Sequence, residues 1–516
     1  MLSQLEDGRK VWKQEEQMNF MSKSEQIIKK IISVIKSEKI LYLAGIIVCL
    51  CNALFMFDNA IWGDEGFSIV LARQGIGGIL SGTAADVHPP LYYLILKIVI
   101  SILGESVFVL HLTSFLAFVG LCILIMTYVR KNFGLLSAYL ALFFAGWTEY
   151  GVVYSVEIRM YSMALLFITL TFCMAYKVIG NADMKDWGIM SVFALLSGYT
   201  HYFALIAVAF MILGVFILCL VKKQEQVWKK IGVTVAICVV GYLPWLVAML
   251  TTVERTVGDF WLTTVPTFRE CMDMFLGAMD YSHKLFYVLI FLLLLYVLVN
   301  AYDAIKNKIS VKDKVADILG HETKILMSIL GIWTFIGTSV LGIVVSNHLQ
   351  PVLLTRYLFP MVVLGAISLG VLVQYFGKKE KMELFVVLIA VMVVVWTAKS
   401  GLNAYQDRYQ VFCDRKQQTD IALEKIDSYA EEDYIVMSDL AHFNWTVLEY
   451  YYPDNFVDYT EVEEKAIEIN KAIMLVSREL NDDEIQGLEN EKYTIDFQGE
   501  GKIDHVGFYL YSLERK

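Results

Sequence analysis

Charge is scarce in this chain. Asp, Glu, Lys and Arg make up 19% of its 516 residues, while 57% are hydrophobic and the mean hydropathy is +0.55. A soluble protein of this size does not need so much apolar residue, so most of the chain must lie in a bilayer. Cysteine is sparse and scattered, with eight residues and no spaced cluster that would hold zinc. Cys49, Cys51, Cys122, Cys173, Cys219 and Cys238 fall within apolar runs and read as small hydrophobes. Cys271 and Cys413 lie outside those runs and could pair, although an unpaired structural role is the simpler reading. There is no basic face for nucleic acid, no Gly-rich phosphate loop, and no repeated half of the kind many carriers show. The net charge of −10 is uneven, with basic residues in short loops and acidic ones gathered in the last hundred residues.

What the chain does have is a series of long apolar runs. They lie near 40–57, 106–128, 133–151, 160–179, 187–202, 203–221, 231–250, 285–301, 325–345, 356–376 and 383–400. The charged segment 1–39 is too long for a cleaved signal, so Ile40–Phe57 reads as a retained first span. A twelfth run, Pro90–Leu103, is short, opens on two prolines and carries Lys97. Counted as a span, it would place Arg130 and Lys131 outside. Set as an amphipathic helix on the outer surface, it lets every basic loop fall inside. The expectation is an α-helical polytopic membrane protein of about eleven spans, N-terminus in and C-terminus out, with residues 40–400 in the membrane unit. Residues 401–516 change character. Stretches such as "DYIVMSD", "KAIMLVSR" and "HVGFYLYSL" read as strands, and "QQTDIALEKIDSYA" and "NWTVLEYYY" as helices, predicting a small extracytoplasmic α/β domain.

The topology brings the informative polar residues to one depth. The first outer loop, 58–105, carries Asp64 and Glu65 after Trp62-Gly63, and then His88-Pro89-Pro90. An extended Asp-Glu pair would aim its two side chains in opposite directions. One acid could then take a proton from a hydroxyl late in a transition state while the other orients a neighbour. His88 could donate to an anionic oxygen. "YSVEIRMYS" (154–162) places Glu157 and Arg159 ahead of a span, and the Arg159 fork suits a phosphate. "SGYTHYFAL" (197–205) puts His201 at the tip of a hairpin, and "LLTRYLFP" (353–360) puts Arg356 where a span begins. Each has a bland alternative as a helix cap, a helix start or a snorkelling anchor. Together they describe an outward cavity with carboxylates at one end and cations at the other. A lipid-phosphate-linked sugar and a hydroxyl-bearing acceptor would suit it, the cations stabilising the departing phosphate.

In order along the chain, "WGDEG", "HPPLYY", "EIRMY", "THY" and "RYLFP" resemble the family 39 glycosyltransferases, the dolichyl-phosphate-mannose protein mannosyltransferase and aminoarabinose transferase group of the C-type membrane fold, over roughly residues 40–400. The resemblance implies a polyprenyl-phosphate sugar donor and a single inverting displacement without a covalent enzyme intermediate. Asp64 takes the place of the catalytic acid and Glu65 supports it. His88, Arg159 and Arg356 are the candidates for the donor phosphate, with Glu157, Tyr161, His201 and Tyr357 in support. Aminoarabinose transferases carry Glu-Lys before the two prolines, the glutamate helping to hold zinc. Here the pair is Val87-His88, so no metal ligand is assigned, a divalent metal stays open, and no cofactor is called for. The repeated lumenal module of eukaryotic mannosyltransferases is absent, which points to a bacterial plasma-membrane enzyme glycosylating an extracytoplasmic glycan, lipid or protein. The alternative is a transporter or flippase of a lipid-linked substrate.

Overall fold

The computed structural model describes residues 37–86, 88–250, 262–274, 283–377, 383–429, 434–438, 442–458, 470–490, 493–503 and 506–516. Among these, eight helices are long and apolar enough to cross a membrane: Glu38–Phe57, Val107–Phe133, Tyr161–Ile179, Tyr202–Val221, Val227–Leu250, Phe286–Lys306, Thr323–His348 and Thr355–Phe376. The other three expected spans take different forms. The run at 133–151 breaks at Trp147-Thr148 into Leu135–Gly146 and the short helix Glu149–Tyr154. The run at 187–202 becomes Met184–Thr200, 17 residues long. The run at 383–400 opens a helix of 45 residues, Glu383–Asp427, that continues well past the apolar stretch.

Leu91–Leu103 starts directly after Pro90 and has 13 residues. At about 1.5 Å per residue that is roughly 20 Å, too short to cross a hydrocarbon core of about 30 Å. It buries Tyr92, Tyr93 and Leu96 and leaves Ile98, Ile102 and Leu103 exposed, as a helix seated at a bundle's edge should.

The bundle is organised around Val362–Phe376, which is buried on nearly every side and packs against Leu135–Gly146 and Thr323–His348. Small residues allow the approach. A Cβ built on Gly370 would lie 2.6 Å from the Ser137 Cα, the close backbone contact that membrane helix pairs favour. Polar side chains along these seams satisfy local carbonyls: Gln374 Nε2 donates to the Phe133 and Gly370 carbonyls at 3.1 and 2.8 Å.

The C-terminal unit holds a five-stranded mixed sheet in the order β2-β1-β3-β5-β4, formed by β1 (Ile435–Ser438), β2 (Phe456–Asp458), β3 (Lys471–Val476), β4 (Tyr493–Ile503) and β5 (Val506–Arg515). β1 pairs in parallel with β2 and β3, and β5 is antiparallel to both β3 and β4. β1 and β3 are apolar almost throughout, as strands covered on both faces are. One face is covered by Ala422 and Ile426 of the long helix together with Val447 and Leu448 of His442–Tyr451.

Candidate active site

Asp64 and Glu65 do not sit in extended chain. They occupy the first turn of a helix, Gly63–Arg73, so the expected opposed side chains are replaced by neighbours about 100° apart around a helix axis. The sequence "GDEGFSIVLAR" has two glycines near its start, and its helix forms because it is buried on several sides by other elements. Both carboxylates lie at the positive end of the helix dipole, and both are buried.

The two acids face different partners. Asp64 Oδ2 is 3.4 Å from Arg356 Nη2 and 3.9 Å from Arg159 Nε, and it has no hydrogen-bond partner. Glu65 Oε1 accepts from the Ile158 amide at 3.1 Å and lies 4.0 Å from His111 Nδ1. His111 ties this layer together: its ring nitrogens face the carbonyls of Val156 (2.9 Å) and Asp58 (3.1 Å).

Arg159 is fully enclosed. Its Nη1 donates to the Asp64 carbonyl, the Ser68 hydroxyl and the Tyr93 hydroxyl at 3.2–3.3 Å, which anchors the guanidinium to the carboxylate helix. His88 Nδ1 lies 3.1 Å from Asp86 Oδ2 and 3.4 Å from Arg159 Nη2. Burial, helped by the Arg159 charge, pulls the His88 imidazole below its ordinary value, with Asp86 opposing. His201 joins two helices, and its Nδ1 accepts from the Phe203 amide at 3.0 Å. That bond requires Nε2 to carry the hydrogen of the neutral ring. Burial, with His88 second, pushes His201 well below the usual histidine range.

An aromatic wall encloses these groups. The His201 ring is 5.4 Å from His88, 4.8 Å from Tyr357 and 5.9 Å from Tyr161. The Arg356 guanidinium lies 5.9 Å from the Tyr357 ring centre. Glu157 completes the set. It is 3% exposed, its Oε2 has no hydrogen-bond partner, and burial beside Glu65 and Asp64 pushes its carboxyl up to about 8.

The structure therefore collects Asp64, Glu65, His88, Glu157, Arg159, Tyr161, His201, Arg356 and Tyr357 at one end of the bundle. It adds residues to which the sequence reading gave no role: Asp58, Ser68, Tyr93 and His111. A histidine inside an apolar run was the one available signal for His111. Among the described residues no group of three or more His, Cys, Asp or Glu side chains is placed to hold a metal ion. Val87 lies outside the described residues.

Residues 87–247 match the family model of the dolichyl-phosphate-mannose-protein mannosyltransferases. That segment includes His88, Glu157, Arg159, Tyr161 and His201, whereas Asp64, Glu65, Arg356 and Tyr357 lie beyond it. Among solved structures, ArnT from Cupriavidus metallidurans in the apo state is similar at a TM-score of 0.54 and 12% identity, over 91% of this chain and 97% of that one. ArnT from the same organism bound to undecaprenyl phosphate is similar at 0.53 and 11%, with the same coverage. No curated protein sequence matches. The chain is thus a polytopic membrane protein of the C-type glycosyltransferase fold, similar to the protein mannosyltransferases and ArnT.

Proposed function

We propose that the chain transfers a sugar from a polyprenyl-phosphate donor to an acceptor hydroxyl at the extracytoplasmic face. One observation carries this reading. Seven buried polar atoms of this site have no hydrogen-bond partner: Asp64 Oδ2, His88 Nε2, Glu157 Oε2, Arg159 Nε, Tyr161 Oη, His201 Nε2 and Arg356 Nε. Buried polar groups without partners are costly, and this set suits a ligand that brings an anion to the cations and a hydroxyl to the carboxylate. The likeness to an ArnT structure holding undecaprenyl phosphate supports the choice of anion. The matched mannosyltransferase segment supports the choice of reaction.

In this reading the acceptor oxygen attacks the anomeric carbon from the face opposite the phosphate. The bond from that carbon to the phosphate oxygen breaks, and the lipid phosphate leaves with the electron pair. Asp64 takes the acceptor proton, so the anomeric configuration inverts in one step. Arg356 and Arg159 stabilise the charge that develops on the leaving phosphate. His201 Nε2–H is a further donor. Burial and the Arg159 charge hold His88 below its ordinary value, and a phosphate beside it would favour the protonated ring. Glu65, held by Ile158 and flanked by His111, keeps the loop around Asp64 in register.

The test is turnover of radiolabelled polyprenyl-phosphate sugars by purified protein in lipid. Asp64→Asn should abolish transfer and leave donor binding largely intact; wild-type turnover by that variant would remove Asp64 from the reaction. Arg356→Ala should weaken donor binding by about 10- to 100-fold, the range for a lost charge-assisted contact. Unchanged affinity would refute its phosphate role. Labelled lipid that binds but is never consumed would make a flippase the better reading.

A further inference from the structure

The loop that leads into the carboxylate helix is held mainly from a distance. Trp62 occupies the cap position of Gly63–Arg73 and its side chain makes no capping bond. Four of the five residues before Gly63, Asp58 to Ile61, instead reach partners more than 340 positions along the chain. Arg408 pairs with Asp58 at 3.4 Å, and Lys416 donates to the Asn59 side chain at 3.2 Å. Arg415 donates to the Ala60 carbonyl. The Tyr451 hydroxyl bridges the loop, donating to the Asn59 carbonyl at 2.6 Å and accepting from the Ile61 amide at 3.3 Å. Thr446 Oγ1 donates to the Gly63 carbonyl at 3.1 Å.

The contact continues along the helix itself. Gly66 lies so close to the backbone of Thr446 that a Cβ there would stand 3.0 Å from its carbonyl. At the far end, Arg73 donates to the carbonyls of Glu449 and Tyr450 and stacks its guanidinium 5.3 Å from the Tyr450 ring centre. Arg408, Arg415 and Lys416 come from the long helix; Thr446, Glu449, Tyr450 and Tyr451 come from His442–Tyr451, beside the sheet.

From this we infer that Arg415, Thr446 and Tyr451 are positioning residues for the transfer reaction, through which the C-terminal domain fixes the aim of Asp64. This rests on the function proposed above. The bonds described above run from these three side chains to the backbone that carries Asp64. An eleven-residue helix whose cap residue makes no side-chain bond has little stability of its own. Its first turn, where Asp64 stands, therefore depends on the docked domain. Displacement of a reacting group by about 1 Å costs on the order of 100-fold in rate.

The experiment uses the full-length protein in lipid and compares Tyr451→Phe, Arg415→Ala and Arg415→Lys with wild type. Tyr452→Phe serves as the control, because Tyr452 donates to Asp427 within the same domain. Two readouts are taken together: kcat against KM for the donor, and amide hydrogen exchange over residues 58–66. The expected result for Tyr451→Phe and Arg415→Ala is a fall in kcat of roughly 10- to 100-fold, a donor KM near that of wild type, and faster exchange at 58–66. Arg415→Lys should recover part of both losses, and Tyr452→Phe should change neither. Unchanged exchange in a folded Tyr451→Phe protein overturns the inference, and so does faster exchange with kcat retained. Failure of the underlying reading has a different signature: the wild type itself would turn over no donor.

Discussion

At the scale of single residues, the charge state of Glu157 is the most exposed to test. Its carboxyl is held up at about 8 by burial, then by Glu65 and Asp64, against an ordinary value of 4.5. In the unfolded chain it ionises near 4.5, while the folded protein keeps the proton to about 8. Between those limits the native state binds more protons than the unfolded one, so this residue's contribution to stability falls as pH rises. Glu157→Gln cannot titrate. The thermal midpoint of the variant should decline less than that of wild type between pH 5 and pH 8, measured in the same detergent or lipid. Parallel curves would show that Glu157 is ionised throughout. The residues that the motifs singled out were legible because a charged or imidazole side chain at the edge of an apolar run is costly unless it has work or a partner. Asp58 and His111 were not. The first reads as a hydrated loop acid and the second as a core histidine until the fold places the His111 ring 3.1 Å from the Asp58 carbonyl.

At the scale of elements, hydropathy located most helices to within a few residues, because length and apolar composition are what a bilayer demands. It failed where a contact decides. The stretch Gly63–Arg73 has a mixed composition that favours no conformation strongly, and it is the packing of His442–Tyr451 that accompanies its helix. β4 went unnoticed because "YTIDFQGEGKI" is polar and carries two glycines, with a register shift between Phe497 and Gly499. Such an edge strand has no clean alternation to detect. Helix contacts also supply a stability test. Gly370→Ala would drive a Cβ to 2.5 Å from Ser137 Oγ and 2.6 Å from its Cα. The helices Val362–Phe376 and Leu135–Gly146 would have to part, at a cost of about 1–3 kcal/mol. A lowered thermal midpoint is expected, with donor affinity little changed at the distant site. An unaltered midpoint would mean that this seam yields freely.

At the scale of the whole molecule, what sequence patterns convey least is how distant parts meet. The carboxylate loop and its partners Arg408, Arg415 and Tyr451 are separated by 350–392 positions, and no local periodicity reports such a pairing. The long helix that supplies two of those partners has a mechanical consequence. At about 1.5 Å per residue its 45 residues extend about 68 Å, from the apolar stretch after Glu383 to the sheet. Seated in lipid at its apolar end, as hydropathy predicts, a continuous helix of that length would behave as a lever. Any tilt that a thinner or thicker hydrocarbon layer imposes on its lower part swings its upper part, and with it the arginines that grip the loop bearing Asp64. The rate of the proposed transfer should therefore pass through an optimum as acyl chains are lengthened in a series of otherwise identical bilayers, while affinity for the proposed donor stays level. The membrane would then act as a setting on the protein's geometry as well as its solvent.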